Sequence, residues 1–497
     1  MKVKKSPIYA IVMVLALLCV VSCNKKDKEE DSQVIYESIS TSTVMVDEFN
    51  LVANSDVMEH LDSVFFTIDL KNFTIYNADS LPVGTDVSAL RVNVTFDSAV
   101  SDAEFTITGG KSKKDTTFTY TNTETAIDFT GDVRLKVTSL DKTLTKTYTV
   151  KVNVHKMKPD SLYWNPAFRR DLPGAGNVVT AQKMVQTSDG FFHLVATDGK
   201  YMMAVSDNIG SNSWDVREIS FPMEPVVETF TATDDALYVI MSNGDLYENT
   251  DGATWHACGV KWGWILGAYD NRVLGVTQTD GVYMHDEYPR RAGFEPKAIA
   301  ADFPIAYSSP MIYTSNDWQI SRLGMIAGGL LSSDKPCGCI WGYDGNVWGR
   351  ISDTRLTPVL PAVNAPTLFA YKSFDTNTLT FRISEHPTLF VMGGAKADGS
   401  LNGATYVSLD HGILWAEGSD LVQQPAYIPF FSGAQAFVVN ERLRYFGVDE
   451  HGASSEIVRA EWDCPYIYLV GGRDANGRVN NSIWRGAINR LTFVPLF

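Results

Sequence analysis

The sequence predicts an all-β protein. An Ig-like β-sandwich over residues 63–155 precedes a β-propeller over 160–497, with six blades, or seven if Glu441 to Arg459 makes its own sheet. Three observations lead there. A segment recurs: Pro387 to Trp415 and Tyr466 to Phe493 each run from an aromatic-aliphatic stretch into a Gly-Gly pair (Gly393-Gly394 and Gly471-Gly472). Each then passes a polar turn with Asp and Gly, a short strand and a large hydrophobic residue, and Met325 to Trp348 is a weaker copy. Self-similarity with Gly and aromatic punctuation marks repeated small sheets. Short runs upstream alternate apolar with polar residues, as in a sheet with one buried face. All eleven tryptophans fall at or after Trp164, a compositional step between two units.

A chain of 497 residues, 45% hydrophobic and 20% charged, fits two or three ordinary folded units. Its N-terminus reads as a leader over residues 1–22: Lys2, Lys4 and Lys5, then an apolar run from Ile8 to Val21 too short to span a membrane. The run ends in Val20-Val21-Ser22-Cys23, which resembles the lipobox of bacterial lipoproteins and makes Cys23 the expected lipidation site. Residues 23–62 are expected to be a tether, opening on a charged stretch that cannot bury itself. Lys28-Glu29-Glu30-Asp31 resembles the acidic signal that sends Bacteroidota lipoproteins to the outer cell face, which implies an outer-membrane, lipid-anchored protein facing the exterior. The formal charge of −16 excludes nucleic-acid binding through a bulk positive field. The anchor is the expected membrane contact.

The sandwich is read from runs such as Val64 to Ile68, Phe73 to Tyr76, Arg91 to Phe96, Val133 to Val137 and Tyr148 to Val154, about seven short strands in all. Lys156-Met157-Lys158-Pro159-Asp160 serves as the linker. Blade candidates then recur at roughly fifty-five residues. Phe192 to Ala196 marks the first, Ala236 to Ile240 the second and Arg272 to Val276 the third, and the three Gly-Gly strands mark the rest.

Ser408, Asp410, Gly412 and Trp415 match the Asp-box pattern S-x-D-x-G-x-x-W, in which Asp caps amides of a tight hairpin and Gly allows a positive φ. Asn249 to Trp255, with Asp251, Gly252 and Trp255, is a shortened variant, and Tyr343 to Trp348 a more degenerate one. These features resemble kelch-type proteins (Gly-Gly strands) and sialidase-like proteins (Asp boxes). With the lipobox and the Ig-like module, the chain resembles a family of uncharacterised Bacteroidota surface lipoproteins, a resemblance that implies the fold and no activity.

No catalytic residue is legible. Asp boxes lie on propeller rims, so Asp251, Asp344 and Asp410 are read as structural. Phe381-Arg382-Ile383-Ser384 is a late, proline-less echo of a sialidase motif, and the six propeller histidines show no ligand spacing, so no metal and no cofactor is assigned. Cys337-Gly338-Cys339 lacks a second Cys pair and is read as structural or singly bridged thiols. Asp286-Glu287 is read as a solvated loop. The candidate ligand-binding residues are Trp262, Trp264, Trp318 and Trp462, aromatic faces that could stack on sugars, with Arg290 and Arg291 to attract an acidic glycan. Gly263 would let Trp262 and Trp264 share one side of an extended chain. The competing reading of each Trp is channel packing. The expected function is non-catalytic glycan recognition by the propeller, against a protein–protein interaction module or a glycan-active hydrolase or lyase.

Overall fold

The structure, a computed structural model, describes residues 44–111, 115–156, 158, 160–173, 178–314, 322–352, 360–377, 382–445 and 460–489. Cys23 and Trp318 lie outside the described residues. The chain divides into two compact units, Met1–Lys156 and Met157–Phe497.

In the first unit two sheets share one hydrophobic core. One has the order Val46–Leu51, Leu90–Phe96, Ala126–Ile127. The other runs Thr67–Asp69, Thr74–Tyr76, Thr145–Lys151, Asp132–Ser139, Val100–Thr108, Thr116–Thr119. Period-2 patterning explains the faces: in Asp132–Ser139, Val133, Leu135 and Val137 are buried while Arg134 and Lys136 are exposed. Pairing is antiparallel except between Thr74–Tyr76 and Thr145–Lys151, which run parallel. Two sequence expectations are corrected. The expected tether contains strand Val46–Leu51, whose Val46, Phe49 and Leu51 are buried in the core. Val64 to Ile68 is mostly not a strand, because the Leu61–Ser63 turn precedes it and leaves Phe65 76% exposed before Thr67–Asp69 begins.

The second unit is built of antiparallel sheets. Five are four-stranded and consecutive in sequence, opening on Val179–Thr187, Pro225–Ala232, Trp264–Tyr269, Ile312–Thr314 and Thr367–Asn377. A sixth joins Ser432–Tyr445, Ala460–Arg473 and Ser482–Asn489 with Ser161–Trp164 from the start of the unit, Leu162 standing opposite Ile488. Glu441 to Tyr445 continues the first strand of this sheet, and 446–459 lie outside the described residues.

The sheets are buried on both faces against their neighbours, so some of their first and second strands carry continuous apolar runs. Leu237–Met241 and Trp264–Tyr269 are buried at every position. The first and sixth sheets are tied by side-chain bonds: Met184 N–H donates to Gln435 Oε1 at 2.8 Å, and Gln435 Nε2 donates back to the Met184 carbonyl.

The hairpin turns between third and fourth strands repeat one hydrogen-bond scheme. Asp410 Oδ1 accepts from Ser408 Oγ (2.8 Å) and Leu414 N–H (2.9 Å), Gly412 N–H donates to Ser408 Oγ, and the buried Trp415 indole donates to Gly412 O. Gly412 sits at φ +92°, a conformation that favours a residue without Cβ. Asp251 Oδ1 caps Ala253 and Thr254, and Asp344 Oδ1 caps Asn346 and Val347, each at 2.8 Å. The first sheet holds a further turn that the sequence reading passed over. Ser206, Asn208 and Gly210 keep the spacing, Asn208 Oδ1 caps Gly210, and Trp214 arrives one residue late, its indole donating to Ser211 O.

Candidate functional site

The strands that open the six sheets surround a cavity of about 390 Å³, within the size of small-molecule sites. Its wall mixes Phe230, Phe369, Phe437 and Met311 with Lys183 and Ser308. A second, smaller recess of about 240 Å³ takes residues from the starts of the same strands or the loops just before them: Gln182 precedes Lys183, Glu228 precedes Phe230, and Tyr307 precedes Ser308. This recess is the mouth, and Asn364 and Arg473 also line it.

Tyr307 is the aromatic group of the mouth. Its ring is 45% exposed and rests on Trp264 with centroids 4.5 Å apart. The backbone holds it at φ +52°, a conformation costly for a residue with a Cβ and typical of sites where surroundings over-determine the geometry. Those surroundings are explicit: Leu330 N–H donates to Ala306 O, Ile305 N–H to Leu330 O (both 2.7 Å), and Ala365 N–H to Tyr307 O (2.6 Å).

Charge at the mouth comes from Arg473 and Glu228. Arg473 Nη2 donates to Thr180 O at 2.6 Å and lies 3.7 Å from Glu228 Oε1. Gln182 is fixed between Asn480 O, to which it donates, and His193 Nε2 at 3.0 Å. Burial holds the His193 pKa down to about 4, so this ring is neutral at pH 7. Lys183 lines the cavity next along the strand, and burial pushes its ammonium down to about 8 against the attraction of Glu228.

Of the residues proposed from sequence, Trp264 lines the cavity and backs Tyr307, while Trp262, Arg290 and Arg291 lie elsewhere. Trp262 and Trp264 are 3% and 6% exposed, so they form no aromatic platform. Nor do they share a side: Trp262 packs with Tyr238, Ile240 and Ile265, and Trp264 with Leu266, Phe303 and Trp341, on opposite faces of the third sheet. Trp164 is buried as well, at 1% exposed. Trp462 lies in Ala460–Arg473, opposite Leu443, with its side chain outside the described residues.

Arg290 and Arg291 are not free to attract an acidic ligand. Arg290 binds both oxygens of Asp286 at 2.8 and 2.7 Å, and Arg291 Nε binds Glu287 Oε1 at 2.8 Å. These hydrogen bonds to carboxylates hold both guanidiniums above their usual pKa. Asp286 and Glu287 are 3% and 0% exposed within strand Val282–Tyr288, not a solvated loop. Cys337 and Cys339 are buried free thiols, with Cys339 N–H donating to Cys337 Sγ at 3.3 Å. Among the described residues no group of three or more His, Cys, Asp or Glu stands ready to hold a metal ion, and no helix is long and apolar enough to cross a membrane.

Successive antiparallel sheets, sealed by a strand from the beginning of the unit, define a β-propeller protein. The family comparison agrees and is specific. Residues 158–496 match the DUF6242 beta propeller domain and residues 21–152 the DUF6242 N-terminal domain, so the chain belongs to the DUF6242 family. No curated protein matches it. Similar solved structures include YjhT (11% identity, 63% of this chain and 96% of that one, TM-score 0.37). The BamB structure from Moraxella catarrhalis shares 12% identity over 85% of this chain and all of that one, with a TM-score of 0.28. BBS1N, from its complex with ARL6DN, shares 10% identity over 73% of this chain and 89% of that one, with a TM-score of 0.30.

Proposed function

We propose that the propeller is a non-catalytic recognition module that takes a sugar at its mouth. The observation that carries this reading is Tyr307, a half-exposed ring backed by a buried indole and held in a strained backbone conformation. Sugar rings present apolar C–H faces that suit such a ring, and Asn364, Glu228 and Arg473 supply donors and acceptors around it. Recognition is favoured over hydrolysis because Glu228 is the one carboxylate among the described residues that line the mouth, and glycoside hydrolysis uses a facing pair. The unit is read as six blades, with the Asp-capped hairpins as Asp boxes. The N-terminal unit is read as an Ig-like stalk behind a lipid anchor at Cys23, which places the mouth outside the cell. Protection of the protein from protease added to intact cells would overturn that placement.

The test is a glycan-array screen of the whole chain, followed by titration of the best-binding glycan. Tyr307→Ala is expected to weaken that binding by ~10-fold or more, the usual scale for losing an aromatic anchor, with the melting temperature little changed. A glycan that binds the variant as tightly as the parent overturns the placement at Tyr307. An array without any binder overturns sugar recognition and moves the mouth to a protein partner.

A further inference from the structure

The cavity contains two polar groups that the protein leaves unused. Ser308 Oγ is buried without a hydrogen-bond partner, and the residue is only 8% exposed. A buried hydroxyl in that state costs free energy unless something else binds it. Lys183 is the other. Its ammonium has no hydrogen bond or ion pair among the described residues, and Glu228 attracts it only through space. Both residues line the same cavity, in which Lys183 is the single charged side chain among the described residues.

The charge balance has a direction. Cavity and mouth together carry Lys183 and Arg473 against one carboxylate, Glu228, a surplus of one positive charge on a chain of net charge −16. An ammonium desolvated by burial gains most from an anion that replaces its lost hydration. The remaining wall (Phe230, Phe369, Phe437, Met311) suits an apolar body rather than a second charge.

The geometry points to a binding site for a small organic monocarboxylate, its carboxylate oxygens accepting from the Lys183 ammonium and the Ser308 hydroxyl, its apolar part against the phenylalanines. A phosphate ester would bring a second negative charge with no second cation in the cavity to meet it. The site uses the cavity wall, not the Tyr307 ring, and stands whether or not a sugar occupies the mouth.

Benzoate and its neutral isostere benzamide are suitable probes, titrated calorimetrically into the whole chain at pH 7. Benzoate is expected to bind, benzamide to bind at least ~10-fold more weakly, and Lys183→Met to erase that difference, the scale of losing one charge-assisted hydrogen bond. Ser308→Ala is expected to weaken benzoate severalfold and provides a readout if Lys183→Met does not fold. A third readout needs no variant: benzoate affinity is expected to fall as pH rises through about 8, where Lys183 loses its proton. Tyr313 also lines the cavity, where burial pushes its hydroxyl up to about 12, and Glu228 and Arg473 stand at the mouth. Equal affinity for the two probes, no benzoate binding at all, or a flat pH profile overturns the site.

Discussion

Replacing Trp262 with Ala is expected to lower the stability of the propeller by about 3–5 kcal/mol, the range for deleting a large buried aromatic. The indole is 3% exposed and lies over Gly275, where a built Cβ would come within 2.2 Å of ring atom Cε3. Glycine at 275 is therefore what lets the indole approach the strand so closely. The ring N–H also donates to Asp286 Oδ2 at 3.1 Å, so the truncation opens a void and removes a bond to a buried carboxylate. Urea unfolding of the whole chain monitors this, with the transition of the second unit expected to move to lower denaturant. Sugar binding at the mouth should persist below that transition. A variant with parental stability that has lost sugar binding would restore the exposed-platform reading of Trp262.

The same residue shows which parts of the fold could be read in advance. The Gly-Gly strands and the Asp-capped turns announce themselves because their constraints are local: Gly412 at φ +92° and Asp410 capping Leu414 fall within one short stretch. Strands buried on both faces are also legible as continuous apolar runs, as in Leu237–Met241. The destination of an indole is not local. Trp262 and Trp264 stand two apart, which in a regular strand means one face. Here Trp262 precedes the strand, which begins at Trp264, so the alternation does not hold between them and the two rings reach different cores.

The site was less legible still. Tyr307 belongs to a loop without periodicity, and its neighbours at the mouth, Glu228, Asn364 and Arg473, come from distant parts of the chain. Only the closure of the sheets brings them together. Along the chain Lys183 is one polar position in a strand, and nothing in its sequence neighbours marks it as the one charge among the described residues that line the cavity. Asp286-Glu287 misled for a related reason. Two adjacent acids usually mark solvent, and the signal that could have corrected this was Arg290-Arg291, four residues on, offering each acid its own guanidinium.

That pairing sets the second large effect. Glu287 is fully buried and serves several donors: Arg291 through Nε at 2.8 Å and its backbone N–H at 2.9 Å, Arg272 at 3.8 Å, and the Tyr343 hydroxyl at 3.5 Å. Arg291 carries the link onward to the fourth sheet, donating through Nη1 to Gly345 O and Asn346 Oδ1, both at 2.7 Å. Glu287 thus anchors the turn between the third and fourth strands of the third sheet, which Arg291 ties to the corresponding turn of the fourth. Glu287→Ala leaves two guanidiniums, Arg272 with a side chain 16% exposed and Arg291 with one 30% exposed, without their shared carboxylate. Breaking a buried pair from one side costs about 3–5 kcal/mol, because the remaining charge is stranded away from water. Glu287→Gln keeps the shape and the acceptor but removes the charge, so it should fall between parent and Ala. Lys200→Ala, which breaks an exposed pair with Glu218 (side chains 65% and 57% exposed), should cost far less, within about 1 kcal/mol. Thermal unfolding of the three variants would show this order, and equal losses for Glu287→Ala and Lys200→Ala would mean that the buried carboxylate is not what holds the turn.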